Sequence, residues 1–248
     1  MSEEQKAEEN KVEDKVERNP WGAYTLFGEL DFEGADDFNS LLKSKAPSSP
    51  MILLVRSGGG NGLPATIIAD TLNAHHCKKV IIGLSMICSA AWAIFTPLQS
   101  LRLCYRTSLF MQHQASYNIQ GVSRDEANMT MGVQNHITTT MDNMFKEGFG
   151  IDDKTLQKLI ARESWISSSE ALFFGDRGIV DGIIAKELRT EDYIVLTRDG
   201  YKRIDVNEVY NSYLLKQHPL LTEEECKEFE LKQHVPVPVG LRFPKAFA

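Results

Sequence analysis

Ile52-Leu53-Leu54-Val55-Arg56-Ser57-Gly58-Gly59-Gly60 passes from an apolar run straight into three glycines. The run from Met51 to Val55 is apolar at every position, as in a strand covered on both faces, and such strands belong to parallel sheets. Pro64 stands where the first helical position belongs, and Ala65, Ile68, Ala69 and Leu72 continue as a helical stripe. Two downstream segments follow the same logic. Cys88-Ser89-Ala90-Ala91 comes after the apolar strand Val80 to Leu84, and Met111-Gln112-His113-Gln114 ends the apolar run that starts at Ser108. A glycine loop, a serine before small residues and a histidine at a strand end therefore recur in order.

The surrounding chain supports an α/β fold with mostly parallel pairing, because strands alternate with helices. Tyr24 to Leu30 reads as a first strand and turn, and Asp36 to Lys45 as a helix with Phe38, Leu41 and Leu42 inward. Ala90 to Phe95 reads as a short buried helix stopped by Pro97. Leu101 to Tyr105 is a further strand. Ser123 to Gly148 is a long helix, with Ser123-x-x-Glu126 as its capping box. Asp152 to Ala161 is another helix, Ser167-Ser168-Ser169-Glu170 opens one more, and Gly178 to Gly182 closes the core. The expected division is a charged disordered or fraying tail over 1–19, a main domain over 20–187 and a C-terminal extension over 188–248. In the extension, Tyr193 to Leu196 reads as a strand, Val206 to Gln217 as a helix and Val235 to Val239 as extended chain.

The 248 residues are 42% hydrophobic and 25% charged, enough for one sizeable core. A formal net charge of -7 argues against a nucleic-acid binder and against an anionic membrane surface. Residues 2 to 18 lack the apolar core of a secretory signal, and no run approaches the ~18 apolar residues of a membrane span. Cys77, Cys88, Cys104 and Cys226 show neither disulfide nor zinc spacing. A reducing, cytoplasmic setting follows. His75-His76-Cys77 reads as a helix end rather than a metal site, since adjacent side chains rarely converge on one ion. No cofactor is expected.

The trio has a chemical reading. A serine hydroxyl needs a base to take its proton and N–H donors for the oxyanion that forms on the attacked carbonyl. Ser89 supplies the hydroxyl, His113 the base and Ala90 N–H one donor. The glycine loop brings a second donor close because it lacks Cβ. Each residue also has a plainer reading: Ser89 as a helix N-cap, His113 as a core histidine, Gly58-Gly59-Gly60 as a turn or phosphate cradle. The loop lacks the Lys-Ser/Thr of a P-loop and the G-x-G-x-x-G pattern.

Residues 22 to 186 resemble the Clp protease proteolytic subunit family, within the ClpP/crotonase superfamily. Ile52 to Gly60 is similar to the family's strand plus N-S-P-G-G loop. Ser85-Met86-Ile87-Cys88-Ser89-Ala90 falls at its G-x-A-A-S-M, and Leu109 to Gln114 at its V-M-I-H-Q. Ile166 to Ala171 resembles L-S-A-P-E-A, and Gly178-Ile179-Val180-Asp181 resembles G-L-V-D. The step of 29 residues from Gly60 to Ser89 matches as well. The resemblance implies a fold of repeated β-β-α units with a long handle helix, plus the C-terminal appendage. It implies a serine endopeptidase with Ser89 as nucleophile, His113 as base, Glu163 at the position of the third, aspartate member, and Gly60 and Ala90 as oxyanion donors. A glutamate can orient a histidine as an aspartate does.

The departures are specific. Gly58 replaces the loop proline, Ser85 the glycine before the nucleophile, Ile87 and Cys88 the small residues, and Ala90 the methionine after it. The stretch from Ser89 to His113 is one residue shorter. Ser85 and Cys88 are thereby alternative nucleophiles, and the chain reads as a divergent member, of phage type or a paralogue. Two other readings stay open: an inactive scaffold that keeps the fold for assembly, and a crotonase-like acyl-CoA enzyme. The resemblance further implies polypeptide substrates, a homo-oligomeric ring (heptameric, or stacked heptamers) and a AAA+ ATPase unfoldase as partner. The long helix lies at the handle, where Met129, Met131, Val133, Ile137, Met141 and Met144 either pack between rings or belong to the core.

Overall fold

The computed structural model describes residues 23–44, 50–117, 119–189 and 191–231. The charged tail 1–19 and the expected extended segment Val235 to Val239 lie outside the described residues. The described strands form one nine-stranded sheet. Strands β1 (Tyr24–Leu30), β2 (Met51–Gly60), β3 (Lys79–Cys88), β4 (Leu101–Tyr105) and β7 (Gly182–Arg189) pair in that order, all parallel. Strands β8 (Asp192–Leu196) and β9 (Tyr201–Asp205) then add antiparallel. Strand β5 (Leu109–Gln112) pairs parallel with β3, and β6 (Ser164–Ser167) pairs antiparallel with β5.

Helices connect these strands. Asp31 caps α1 (Phe32–Lys43) and Asn61 caps α2 (Gly62–Ala74), where Pro64 is third rather than first. His75 is the C-cap of α2 and accepts a bond from Cys77 N–H, so this cluster is a helix end. Ser123 and Glu126 form the expected capping box of α3 (Arg124–Phe149), and Gly150 stops it at φ +67°. Asp152 caps α4 (Asp153–Ile160), and Ser167 with Glu170 boxes α5 (Ser168–Phe173).

Alternation along the strands separates two cores. Met51, Leu53 and Val55 face the helices, together with Ala65, Ile68, Leu72 and Trp92. Ile52, Val80, Ile82, Leu101, Leu103 and Ile184 face the other way. Tyr193, Val195 and Ile204 widen that second face, and Val206, Val209 and Leu215 cover it. The extension expected from residue 188 thus continues the sheet: β7 runs through residue 189, and β8 and β9 complete the edge. Within it, only Ser212–Gln217 (α6) of the expected helix Val206 to Gln217 is helical; α7 (Glu223–Glu228) follows. Val206 and Val209 are spent on the second core instead.

One buried ion pair locks the layers. Arg102 Nη2 lies 2.6 Å from Asp181 Oδ1, with both side chains almost fully buried. Nε–H donates to Asp181 Oδ2, and the other guanidinium hydrogens go to the carbonyls of Phe95, Gly148, Arg177 and Gly178. A buried charge survives only when paired and fully hydrogen-bonded, and Arg102 meets both conditions.

Candidate active site

Three strands end together at the C-terminal edge of the sheet, where open α/β sheets place their ligand sites. Ser57 lies beside Ile87 in the β2–β3 register, and Cys88 beside Met111 in the β3–β5 register. The chain segments just beyond carry Gly59 and Gly60, Ser89, and His113. The glycines are not a free loop: Gly59 and Gly60 pair with Glu29 and Leu30 of β1. Ser57 Oγ accepts from Gly59 N–H at 3.1 Å and shapes the turn from within.

Ser89 stands at a sharp corner. β3 extends to Cys88, four residues past the expected end at Leu84, and the short buried helix expected over Ala90 to Phe95 is a 310 turn, Ser89–Phe95. Its φ is +53°, a left-handed value that side chains other than glycine rarely adopt. The N-cap of the 310 turn is Cys88, with no side-chain capping bond. Ser89 is therefore not the cap, which removes the plainer reading of its hydroxyl. Strain of this kind persists where surrounding structure over-determines it, often at functional sites. The surroundings here are Trp92, whose indole N–H donates to Ile87 O at 3.0 Å, and a cage of Phe110, Phe145, Phe149 and Phe174 edges around it. Ser85 has φ +57° as well, the conformation for which a glycine is the usual residue.

The glycine turn touches the corner. A Cβ on Gly59 would fall 2.7 Å from Ser89 Cβ and 3.0 Å from Cys88 O, so the approach requires glycine. Gly60, Ser89, Ala90 and His113 all line one cleft of about 650 Å³. Its far wall is α3, through Ile137, Met141 and Phe145. Tyr117 hydroxyl bonds Thr138 of α3 and ties the chain after His113 to that wall. His113 N–H donates to Gln112 Oε1 at 3.0 Å.

Glu163 is exposed, one residue before β6, and its Oε1 accepts a bond from the Trp165 indole at 2.6 Å. No hydrogen bond between described residues joins it to His113, or His113 to Ser89. Glu163 is nonetheless close to the strand ends, for its charge adds to burial in raising the Cys88 thiol above its ordinary range. A buried thiol raised this way is a poor nucleophile. The sequence motifs do not point to Trp165, Tyr117 or Arg102. Trp165 was recoverable from its spacing of two from Glu163 on a strand.

The model of the Clp protease family matches residues 32–187. The chain belongs to the Clp protease family. An ATP-dependent Clp protease proteolytic subunit from Paracoccus denitrificans is 28% identical over 132 residues, which is 53% of this chain and 66% of that protein. A point mutant of ClpP1 from Listeria monocytogenes shares 21% identity and a TM-score of 0.56 over 70% of this chain and 92% of that one. The latter likeness establishes the shared fold. The Clp protease match stops within β7, so β8, β9 and the chain after them lie beyond it. Among the described residues of this Clp family chain, no helix is long and apolar enough to cross a membrane.

Proposed function

We propose that this chain is a serine endopeptidase of Clp proteolytic-subunit type, acting through an acyl-enzyme on Ser89. One observation carries the reading: Ser89 sits at a strained corner with its hydroxyl free of capping duty, packed on Gly59 and facing the same cleft as His113. His113 takes the hydroxyl proton as Ser89 attacks the peptide carbonyl, then passes it to the leaving amine. Glu163 orients the imidazole and stabilises its cation. Gly60 and Ala90 donate N–H bonds to the oxyanion.

Polypeptides are the substrates, and the chain works as a homo-oligomeric ring. The exposed apolar side chains of α3 support such packing: Met129 is 74% and Val133 58% exposed, whereas Met141 and Met144 pack on the core. On this reading Met129 and Val133 pack between rings, and Met141 and Met144 belong to the core. A AAA+ ATPase would feed the ring. The setting is cytoplasmic, and residues 20–187 form the peptidase unit, with the extension from 188 closing its sheet.

A second reading, an inactive scaffold, draws on the bond that holds Glu163 to Trp165. Labelling with a fluorophosphonate probe, read by intact mass, separates the two. Wild type gains one adduct and Ser89→Ala gains none. An unlabelled wild type favours the scaffold, and labelling that survives Ser89→Ala removes Ser89 as nucleophile.

A further inference from the structure

Glu163 differs from the aspartate of its family position by one methylene, and the structure shows what holds the longer side chain. Its Oε1 takes the Trp165 Nε1–H at 2.6 Å. The two residues are two apart along an extended segment and share one face. Met111 lies opposite Trp165 and Gln112 opposite Ser164 in the antiparallel β5–β6 pair. The same register carried one step further sets His113 opposite Glu163. Residues directly opposed in such a pair have Cβ atoms about 4.5–5.5 Å apart. That extension of the register puts Met111, His113, Glu163 and Trp165 on one face, while Gln112 and Ser164 turn to the other side, each 3% exposed.

We infer that Trp165 is a positioning residue: its indole N–H fixes one carboxylate oxygen of Glu163 so that the other is presented to His113. The inference rests on the triad reading above. A glutamate has one more rotatable bond than an aspartate and loses more freedom when ordered. An exposed Glu163 left to itself spreads over several rotamers, most of them turned away from His113. The indole removes that spread. It is a donor only, so it neither takes a proton from His113 nor competes as a base. A carboxylate accepts on both oxygens, so the bond to Trp165 and a bond to His113 coexist. Tyr117 and Asp142 are the other titratable groups along the cleft wall, and the Cys88 thiol feels the Glu163 charge.

The test uses the full chain as wild type, Trp165→Phe, Glu163→Gln and the double variant. Phenylalanine keeps the ring and deletes the N–H, and Trp165 is 36% exposed, so no core is opened. Far-ultraviolet circular dichroism and a melting curve confirm that each variant is folded. Hydrolysis of a fluorogenic peptide should fall about 10- to 100-fold in kcat for Trp165→Phe, at unchanged KM, as misplacement of a catalytic group does. The His113 ring resonances, followed by NMR at a single pH and assigned with His113→Asn, should shift in Trp165→Phe and Glu163→Gln alike, because both variants take away the carboxylate oxygen that faces the ring. The double variant should add nothing to Glu163→Gln, because the two residues act as one unit. Unmoved His113 ring resonances in Trp165→Phe overturn the inference, as does faster hydrolysis by Trp165→Phe, which would make the indole a restraint on Glu163. Wild type without Ser89-dependent hydrolysis would sink the peptidase reading alone, since the His113 ring resonances still decide whether Trp165 sets Glu163 against His113.

Discussion

A side chain at residue 59 would occupy the place of Ser89. Gly59 has φ +104°, and a Cβ on it would fall 2.7 Å from Ser89 Cβ, closer than two carbons pack. Gly59→Ala meets both a disfavoured backbone region and a collision, at a cost of about 1–3 kcal/mol for the backbone alone. The expected outcome is a lower denaturant midpoint together with loss of fluorophosphonate labelling in the protein that remains folded. Full labelling would show that Ser89 does not need this contact. Ser85 illustrates the opposite departure: a serine holds a left-handed φ of 57° where glycine would be unstrained. A corner can thus be held against local preference when tertiary contacts outweigh it.

Strand β4 is the element on which the layers are hung. It carries Leu101 and Leu103 on one face and Arg102 on the other, between the 310 turn, α3 and the loop before β7. Asp181 binds both the Arg102 guanidinium and its backbone N–H. Asp181→Ala leaves an uncompensated buried guanidinium and should cost about 3–5 kcal/mol. Urea unfolding with an unchanged slope and a lowered midpoint would register it; a midpoint equal to wild type would show that water or another group compensates. The G-L-V-D resemblance places Asp181 in the sequence. Its partner, 79 residues away, is visible only once β4 and β7 lie side by side.

At the scale of the whole molecule, the two faces of the sheet are covered by different stretches of chain. Helices cover the first, and Val206, Val209 and Leu215, beyond β9, cover the second. A chain ending at residue 187 would uncover Ile52, Val80, Ile82, Leu101, Leu103 and Ile184 together. Contiguous apolar surface of that kind drives association. The truncated protein should bind 8-anilinonaphthalene sulfonate strongly and elute as aggregate in size-exclusion chromatography. Clean elution without dye binding would show that the first core is sufficient. The family match ends inside β7, so this cover lies outside the matched region.

Local chemistry was legible without coordinates. The continuous apolar run at Met51 to Val55 announced a strand buried on both faces, the spacing in α2 announced its inward stripe, and Ser123-x-x-Glu126 announced a cap that is in place. These signals are read within one turn or one strand, where each residue's neighbours are set by the backbone repeat. The order of Gly60, Ser89 and His113 was legible for the same reason, since each marks a strand end. Other features needed neighbours that sequence distance conceals. The strand β3 outlasts its apolar run because β2 and β5 pair with its far half. The corner at Ser89 is held by Gly59 and by the aromatic cage of Trp92. Val206 and Val209 leave their helical pattern because the second face of the sheet buries them. Sequence alone determined the order in which Gly60, Ser89 and His113 follow their apolar runs, and the tertiary structure decided where the strands end and which of these residues meet, because packing rather than local propensity sets the long-range contacts.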